Sequence, residues 1–142
     1  MAVPDPRPEI TVDLRIAPEA EAVRVVRSHL RSLLEAYGFS EPSRESVLLG
    51  FDEVLVNACE HAGSRARGET VELAVALFVD RLEIEVRDRG DFAARAAAAN
   101  AALPGEDAES GRGLFLIQQT MDAVEWRSRE GGGTCVRLVK RR

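Results

Sequence analysis

Three short stretches of the chain carry the residue types best suited to chemistry. The first has Glu53 and Asn57 four residues apart, followed by His61; the second is DRG at 88–90, and the third is GRGL at 111–114. A carboxylate can accept a proton, and an amide oxygen is a hard ligand suited to Mg²⁺. Glycines before a helix free backbone N–H groups for an anion. Together the stretches predict a nucleotide site with a general base and a metal ligand.

The first stretch lies in a segment with helical spacing. Its apolar residues share one face and should pack on a sheet; they are Val47, Phe51, Val54, Ala58 and Ala62. The polar residues on roughly the opposite face are Glu53, Asn57, Glu60 and His61. That face could simply meet water, which is the commoner situation for charged side chains. It could instead line a cleft, with Glu53 as general base and Asn57 as Mg²⁺ ligand.

The second and third stretches each allow a structural and a functional interpretation. Asp88 ends a predicted strand, where it could cap a turn or present a carboxylate to the exocyclic amine of adenine. Gly90 would then let the backbone approach the base. The segment 111–113 leads into an apolar helix at Leu114, so its glycines could form either a flexible hinge or a phosphate-binding helix start.

Alternating apolar and polar residues predict strands, and helical spacing predicts the helices that cover them. Strands are predicted at 10–16, 71–79, 82–86, 122–129 and 134–140, and helices at 18–37, 43–62, 91–103 and 114–121. Asp80 and Arg81 should form the tight turn of the first hairpin, and 104–113 should be a loop. The order β-α-α-β-β-α-α-β-β predicts an α/β two-layer sandwich, with a mixed, mostly antiparallel sheet and helices on one face.

Length and composition favour a single globular domain. The chain has 142 residues, 45% of them hydrophobic, and the domain is expected at 10–142 after a flexible segment at 1–9. No apolar run reaches the roughly 20 residues of a membrane span, and no signal peptide is expected. The net charge of −5 disfavours general nucleic-acid binding. Cys59 and Cys135 fit the small buried thiols of a reduced, cytoplasmic protein.

The three stretches, taken in order, resemble the anti-sigma-factor serine/threonine kinases of bacterial partner-switching systems. These kinases belong to the histidine kinase-like ATPase superfamily, which includes gyrase-type and Hsp90-type domains. FDEVLVNACEHA is similar to the family's first box, VRDRG to the second, and GRGLFLIQQTMDAVEW with GGGTCVRL to the third and its closing strands. The resemblance covers residues 10–140 and implies the Bergerat-type ATP-binding fold, with an ATP lid at about 91–113.

The resemblance implies a role for each matching residue. Glu53 would be the general base, Asn57 the Mg²⁺ ligand, and His61 a structural or cleft-lining residue. Asp88 would bind adenine, with Gly90 beside it. The other positions implied to contact ATP are Gly111, Arg112, Gly113, Leu114 and Thr134.

One departure from the family pattern concerns the second stretch. The family usually reads D-x-G-x-G, whereas here Gly90 is followed by Asp91 and Phe92. Either Phe92 replaces the second glycine, or one residue is missing before it. The second glycine lets the loop bend around the nucleotide, so its loss bears on ATP affinity and lid geometry. The second half of the lid is also acidic, which does not favour phosphates nearby.

The resemblance implies a Mg-ATP-dependent protein serine/threonine kinase that binds a sigma factor and phosphorylates an anti-anti-sigma antagonist. A second hypothesis is a catalytically silent regulator of the same fold that binds a partner with or without nucleotide. A third is the ATP-binding half of a histidine kinase acting in trans, which the lack of a His-bearing helical hairpin disfavours. The resemblance allows for a homodimer and implies no direct contact with nucleic acid or membrane.

Overall fold

The computed structural model describes residues 6–61, 68–90 and 117–142. Within these ranges the strands are β1 (Ile10–Ile16), β2 (Val71–Leu77), β3 (Arg81–Asp88), β4 (Ala123–Ser128) and β5 (Thr134–Arg141). The long helices are α1 (Ala20–Ala36) and α2 (Glu41–His61). Residues 117–120 are also helical, in agreement with the helix predicted at 114–121. The helix predicted at 91–103 lies outside the described residues.

The described strands form one antiparallel sheet in the spatial order β1-β2-β3-β5-β4. The strand that comes last in the chain, β5, therefore lies between β3 and β4. Its register places Thr134 opposite both Asp88 of β3 and Ser128 of β4. The end of β3 thus meets the start of β5 and the end of β4. The predicted α/β sandwich with a mostly antiparallel sheet is confirmed.

The two faces of the sheet differ because side chains alternate along each strand. Ile84, Val86 and Leu138 are fully buried on the face that the helices cover. The opposite face carries charged side chains that pair across strands. Arg137, for example, pairs with Glu83 and also lies 3.5 Å from Glu125. The buried face forms the core, and the charged face meets solvent.

Helix α2 is the central element of the core, since it packs against α1, β3 and β5. Its predicted apolar face is buried at every position that the structure describes, namely Val47, Phe51, Val54 and Ala58. Leu48 and Leu55, which were not part of the predicted face, are fully buried as well. The buried surface of the helix is therefore wider than predicted, and its polar surface is narrower. No helix in the described ranges combines the length and the hydropathy that a membrane span requires.

The predicted start of α2 at Ser43 was two residues late. The hydroxyl of Ser40 accepts a hydrogen bond from the Ser43 N–H at 3.3 Å, as an N-capping serine does. Pro42 is tolerated in the first turn, where a backbone N–H would have no partner within the helix. The helix therefore begins at Glu41.

The turn of the first hairpin also differs from the prediction. Strand β2 ends at Leu77, and Arg81 already belongs to β3, so the loop runs over 78–80. The Phe78 N–H donates to the Arg81 carbonyl at 2.8 Å, and the Arg81 guanidinium stacks 4.0 Å from the centre of the Phe78 ring. Val79, predicted to lie in the strand, is 69% exposed at the tip.

Candidate functional site

Asp88 is a fully buried acidic residue at the last position of β3. Strand alternation directs it to the same face as Val86 and Ile84, which is the face that α2 covers. One carboxylate oxygen, Oδ1, accepts a hydrogen bond from the Gly90 N–H at 2.6 Å. The chain therefore turns sharply just after Asp88, and this turn orients the carboxylate.

Thr134, predicted at this site from the resemblance, lies directly opposite Asp88 in the β3–β5 register. Its side chain is fully buried, and its hydroxyl donates to the Gly90 carbonyl at 2.9 Å. The structure thus brings Thr134 into contact with the turn that holds Asp88 and Gly90. Thr134 lies 44 residues after Gly90 along the chain. Thr134 supports the Asp88 turn from the neighbouring strand.

The hairpin between β4 and β5 contributes two further residues that the sequence interpretation missed. Gly133 has a φ of +113°, and a Cβ there would overlap the Asp88 carbonyl oxygen and lie 3.1 Å from the Arg89 Cα. The Arg129 Nη1 donates to the same Asp88 carbonyl at 3.2 Å. The three consecutive glycines before Thr134 were a signal for such a close approach, whereas Arg129 had none.

Glu53 and Asn57 are half-buried on α2, one turn apart. A separation of four residues corresponds to about 6 Å along a helix, so the carboxylate and the amide lie on the same side. Among the described residues, no hydrogen bond or ion pair reaches the Glu53 carboxylate. The neighbouring Asp52, in contrast, accepts from the Arg27 Nε with both oxygens, at 3.0 and 2.7 Å. Of the two adjacent acids, Glu53 is therefore the one available to a substrate.

The environment makes Glu53 a stronger base than an ordinary glutamate. Burial raises the pKa of its carboxyl, and the negative charges of Asp52 and Glu60 raise it further. A general base works best when its pKa lies nearer the working pH than that of a free carboxylate. The direction of this shift fits proton abstraction by Glu53.

Cys59 links α2 electrostatically to the end of β3. Burial raises the pKa of its thiol to about 11, with smaller contributions from the charges of Asp88 and Glu60. Asp88 is buried at the end of β3, on the face of the sheet that α2 covers, so its charge lies near the second half of that helix. In the nucleotide cleft that the resemblance predicts, Asp88 would lie on the sheet side, and Asn57 and Glu53 on the helix side.

We expect iodoacetamide to alkylate Cys59 about a hundredfold more slowly than a free cysteine at about pH 8. Only the thiolate reacts, and a pKa of about 11 leaves very little of it at that pH. The measurement is the alkylation rate in a Cys135→Ala variant, followed by mass spectrometry. The rate should rise about tenfold with each pH unit up to about pH 10. A rate that is slow but does not change with pH would mean that access, not ionisation, protects the thiol.

Several predicted site residues fall outside the described residues. Gly111, Arg112, Gly113 and Leu114 are among them, as are Asp91 and Phe92, where the sequence departs from D-x-G-x-G. The backbone of His61 forms the last residue of α2, but its side chain is not described. The assignments of these residues stay predictions.

The donor set of the described site suits a lightly coordinated, hard cation. No group of three or more His, Cys, Asp or Glu side chains that could hold a metal occurs in the described part of the chain. Mg²⁺ bound with nucleotide needs few protein ligands, because phosphates and waters complete its shell. A single amide oxygen, from Asn57, fits that requirement.

Comparison with known proteins identifies relatives over most of the chain. Residues 16–140 match a family described as the histidine kinase-like ATPase domain. The serine-protein kinase RsbW of Bacillus pumilus is 32% identical over 129 residues, which cover 84% of this chain and 80% of the relative. RsbW of Halalkalibacterium halodurans is 30% identical over 137 residues, covering 92% of this chain and 82% of the relative.

Solved structures with a similar fold are also known. The crystal structure of the RsbU and RsbW domains of a Mycobacterium tuberculosis protein superposes with a TM-score of 0.67 at 19% identity. The match covers 94% of this chain and 32% of that longer one. A chain of the SiaB–SiaC complex from Pseudomonas aeruginosa gives a TM-score of 0.63 at 14% identity, covering 92% and 89%. At these identities the likeness concerns the fold alone.

Proposed function

Because this chain belongs to the histidine kinase-like ATPase family, we propose that it is a Mg-ATP-dependent protein serine/threonine kinase acting as an anti-sigma factor. The family predicted from the three sequence stretches is confirmed, and relatives named serine-protein kinase RsbW support the activity. In this proposal the chain works in the cytoplasm as a transcription regulator. It holds a sigma factor and releases it through an anti-anti-sigma antagonist.

The observation that carries the proposal is the placement of the Asp88 carboxylate. It is fully buried at the end of β3, on the face of the sheet that α2 covers, and the Gly90 N–H orients it at 2.6 Å. A buried carboxylate that faces a cleft can accept a hydrogen bond from the exocyclic amine of adenine. A carboxylate in such a place discriminates strongly against bases that lack the donor. Asp88 would thus select adenine, with Gly90 allowing close approach of the base.

The helix side of the cleft would carry out the chemistry. Glu53 would accept the proton of a serine or threonine hydroxyl on the partner, and its raised pKa favours that transfer. The Asn57 side-chain oxygen would hold Mg²⁺ one turn away. Bound Mg-ATP would supply the phosphoryl group and the charge neutralisation that phosphoryl transfer needs. The Arg27–Asp52 pair, at 2.7 Å, anchors α2 to α1 beside the base.

The remaining nucleotide contacts in this proposal come from residues implied by the resemblance. Gly111, Arg112, Gly113 and Leu114 would contact phosphate, His61 would line the cleft, and Thr134 would lie near the adenine. The homodimer that the resemblance allows for stays a prediction, as does the lid at about 91–113.

The test is transfer of phosphate to an antagonist domain from the same genome. We expect Mg-ATP to place one phosphoryl group on a single Ser or Thr of the antagonist, and the modified antagonist to dissociate. Intact-mass spectrometry before and after incubation measures the transfer, with Mg-ADP and Asn57→Ala protein as controls. Asn57→Ala should lower turnover and the Mg-dependent part of ATP affinity together.

The same experiment separates the kinase from the silent regulator. A silent regulator would bind the antagonist equally well with ATP, ADP or neither, and the antagonist's mass would not change. Calorimetry with the nucleotide alone adds a second criterion. A protein that takes up no ATP at millimolar concentration with Mg²⁺ would contradict the kinase proposal, since enzymes bind such substrates at about micromolar to millimolar levels.

A further inference from the structure

We propose that Arg129 is a positioning residue for adenine recognition, which fixes the Asp88 turn through the main chain and is itself anchored by Glu72. This inference deepens the proposed function and rests on it, because it assigns Asp88 to the base. Arg129 does not contact the reacting atoms. It acts by holding the peptide that orients the Asp88 carboxylate.

The contacts of Arg129 reach two strands that are distant along the chain. Its Nη1 donates to the Asp88 carbonyl at 3.2 Å, and its Nη2 donates to the Glu72 Oε2 at 3.0 Å. Only 16% of the Arg129 side chain is exposed, so the guanidinium is largely withdrawn from water. A buried charge is retained only where its donors are matched, and here a carbonyl and a carboxylate match them.

The geometry of the guanidinium explains why this position suits arginine. Its planar fork presents parallel donors with fixed spacing, so one group can hold two acceptors at once. Glu72 is itself central to a set of arginines, with Arg15 at 3.8 Å and Arg87 at 3.9 Å. Of these pairs, the one to Arg129 at 3.0 Å is the shortest. Glu72 therefore places the Arg129 fork against the Asp88 carbonyl.

Holding the Asp88 carbonyl restricts the carboxylate of the same residue, which is three bonds away from the carbonyl carbon. The same peptide leads into the turn in which the Gly90 N–H donates to the Asp88 Oδ1 at 2.6 Å. The Thr134 hydroxyl fixes the Gly90 carbonyl at 2.9 Å, so the Asp88 and Gly90 carbonyls are both held from the β4–β5 hairpin. Without Arg129, one of these two supports is lost and the carboxylate can change direction. Adenine selectivity should then fall more than overall nucleotide affinity.

Arg127 is a matched control two residues earlier, in β4, whereas Arg129 follows the end of that strand. Its side chain is 57% exposed and lies 3.4 Å from Glu85, on the charged face of the sheet. Arg127→Met removes the same charge and the same fork as Arg129→Met. It leaves the Asp88 turn untouched, so any general effect of charge or strand stability appears in both variants.

The experiment compares wild type, Arg129→Met, Arg129→Lys and Arg127→Met in two ways. The first is amide hydrogen exchange at Gly90 in the nucleotide-free protein, by nuclear magnetic resonance. We expect exchange at Gly90 to be about tenfold faster in Arg129→Met and unchanged in Arg127→Met. Arg129→Lys should restore protection in part, because an ammonium can reach one acceptor but cannot fork to both.

The second readout is the ratio of affinities for ATP and inosine triphosphate, which lacks the exocyclic amine. We expect Arg129→Met to lower the affinity for ATP about tenfold, which corresponds to the loss of one hydrogen bond. The affinity for inosine triphosphate should fall at most about twofold. Equal weakening of both nucleotides, or wild-type selectivity with slow Gly90 exchange, would overturn the positioning role. If the wild type binds no ATP, the proposed function fails, and adenine positioning fails with it. If the wild type binds ATP selectively and Arg129→Met does too, only the inference about Arg129 fails.

Discussion

Replacing Glu53 with glutamine should slow phosphoryl transfer to the antagonist at least about a hundredfold, with ATP affinity changed less than about twofold. Glutamine keeps the shape of the side chain but cannot accept the hydroxyl proton. The measurement is single-turnover transfer together with calorimetry. Glu45→Gln is the matched control, since Glu45 lies on the same helix and pairs with Arg31 at 3.3 Å on the surface. Transfer at the wild-type rate in Glu53→Gln would remove the general-base assignment.

The pH dependence provides a sharper criterion for the same residue. Glu53 acts in its ionised form, so kcat/KM should rise with pH through its raised pKa. Glu60→Gln removes one of the charges that raise this pKa, so the acidic limb of the profile should move to lower pH. The stability effect has the opposite sign from that of a paired carboxylate. The pKa of the Glu53 carboxyl is higher in the folded protein than in the unfolded chain. Its ionisation therefore lowers the free energy of unfolding as the pH rises from the ordinary pKa to the raised one. At neutral pH, Glu53→Gln should therefore unfold at the same denaturant concentration as wild type or a higher one.

Replacing Gly133 with alanine should destabilise the protein by about 2 kcal/mol more than replacing Gly132 does. Both glycines have positive φ, +113° and +100°, so both substitutions carry the backbone strain of that region. A Cβ at Gly132 meets nothing within 4 Å. At Gly133 it overlaps the Asp88 carbonyl and approaches the Arg89 Cα at 3.1 Å, and backbone atoms cannot move aside as a flexible side chain can.

Urea unfolding of the two alanine variants measures this difference directly. Nucleotide binding should follow the same order, because Gly133→Ala can be accommodated only if the Asp88 turn shifts. Equal unfolding midpoints together with equal ATP affinities for the two variants would mean that the hairpin does not press against the end of β3. If Gly133→Ala is as stable as Gly132→Ala but binds ATP weakly, the new Cβ still contacts the Asp88 carbonyl, and the turn has changed its conformation without unfolding the protein.

Local patterns predicted the parts of this molecule that depend on neighbours in sequence. The period of Val47, Phe51, Val54 and Ala58 identified the buried face of α2, and alternation identified the strands. The Asp88 position followed from the point at which alternation stops. The errors were also local. Ser40 was overlooked as the N-cap of α2, and the apolar Val79 was included in a strand although it lies at a turn.

The supporting contacts of the site could not be predicted in the same way. Arg129 lies 41 residues from Asp88 and 57 from Glu72, and one arginine among many carries no pattern that marks it. Its place depends on the strand order, in which β5 enters between β3 and β4. The sequence predicts that β4 pairs with β5, because they are consecutive strands joined by a short turn. It does not predict which of the two strands pairs with the β2–β3 hairpin, or at which edge. The sequence motifs therefore predicted the place of Asp88 at the end of a strand, and the topology determines which residues hold it there.

The last strand of the chain, β5, lies inside the sheet between β3 and β4, and this affects how the protein folds during synthesis. A chain that has been synthesised only as far as β4 lacks the strand that pairs with β3, so the Asp88 turn has neither Thr134 nor Gly133 against it. Contacts over such long sequence separations close late, because the entropy of ordering the intervening chain must be overcome first. Until then β3 presents an unpaired edge, which is the kind of surface that partly folded chains use to aggregate. Competence to bind nucleotide and protection from aggregation should therefore be acquired in the same late folding step.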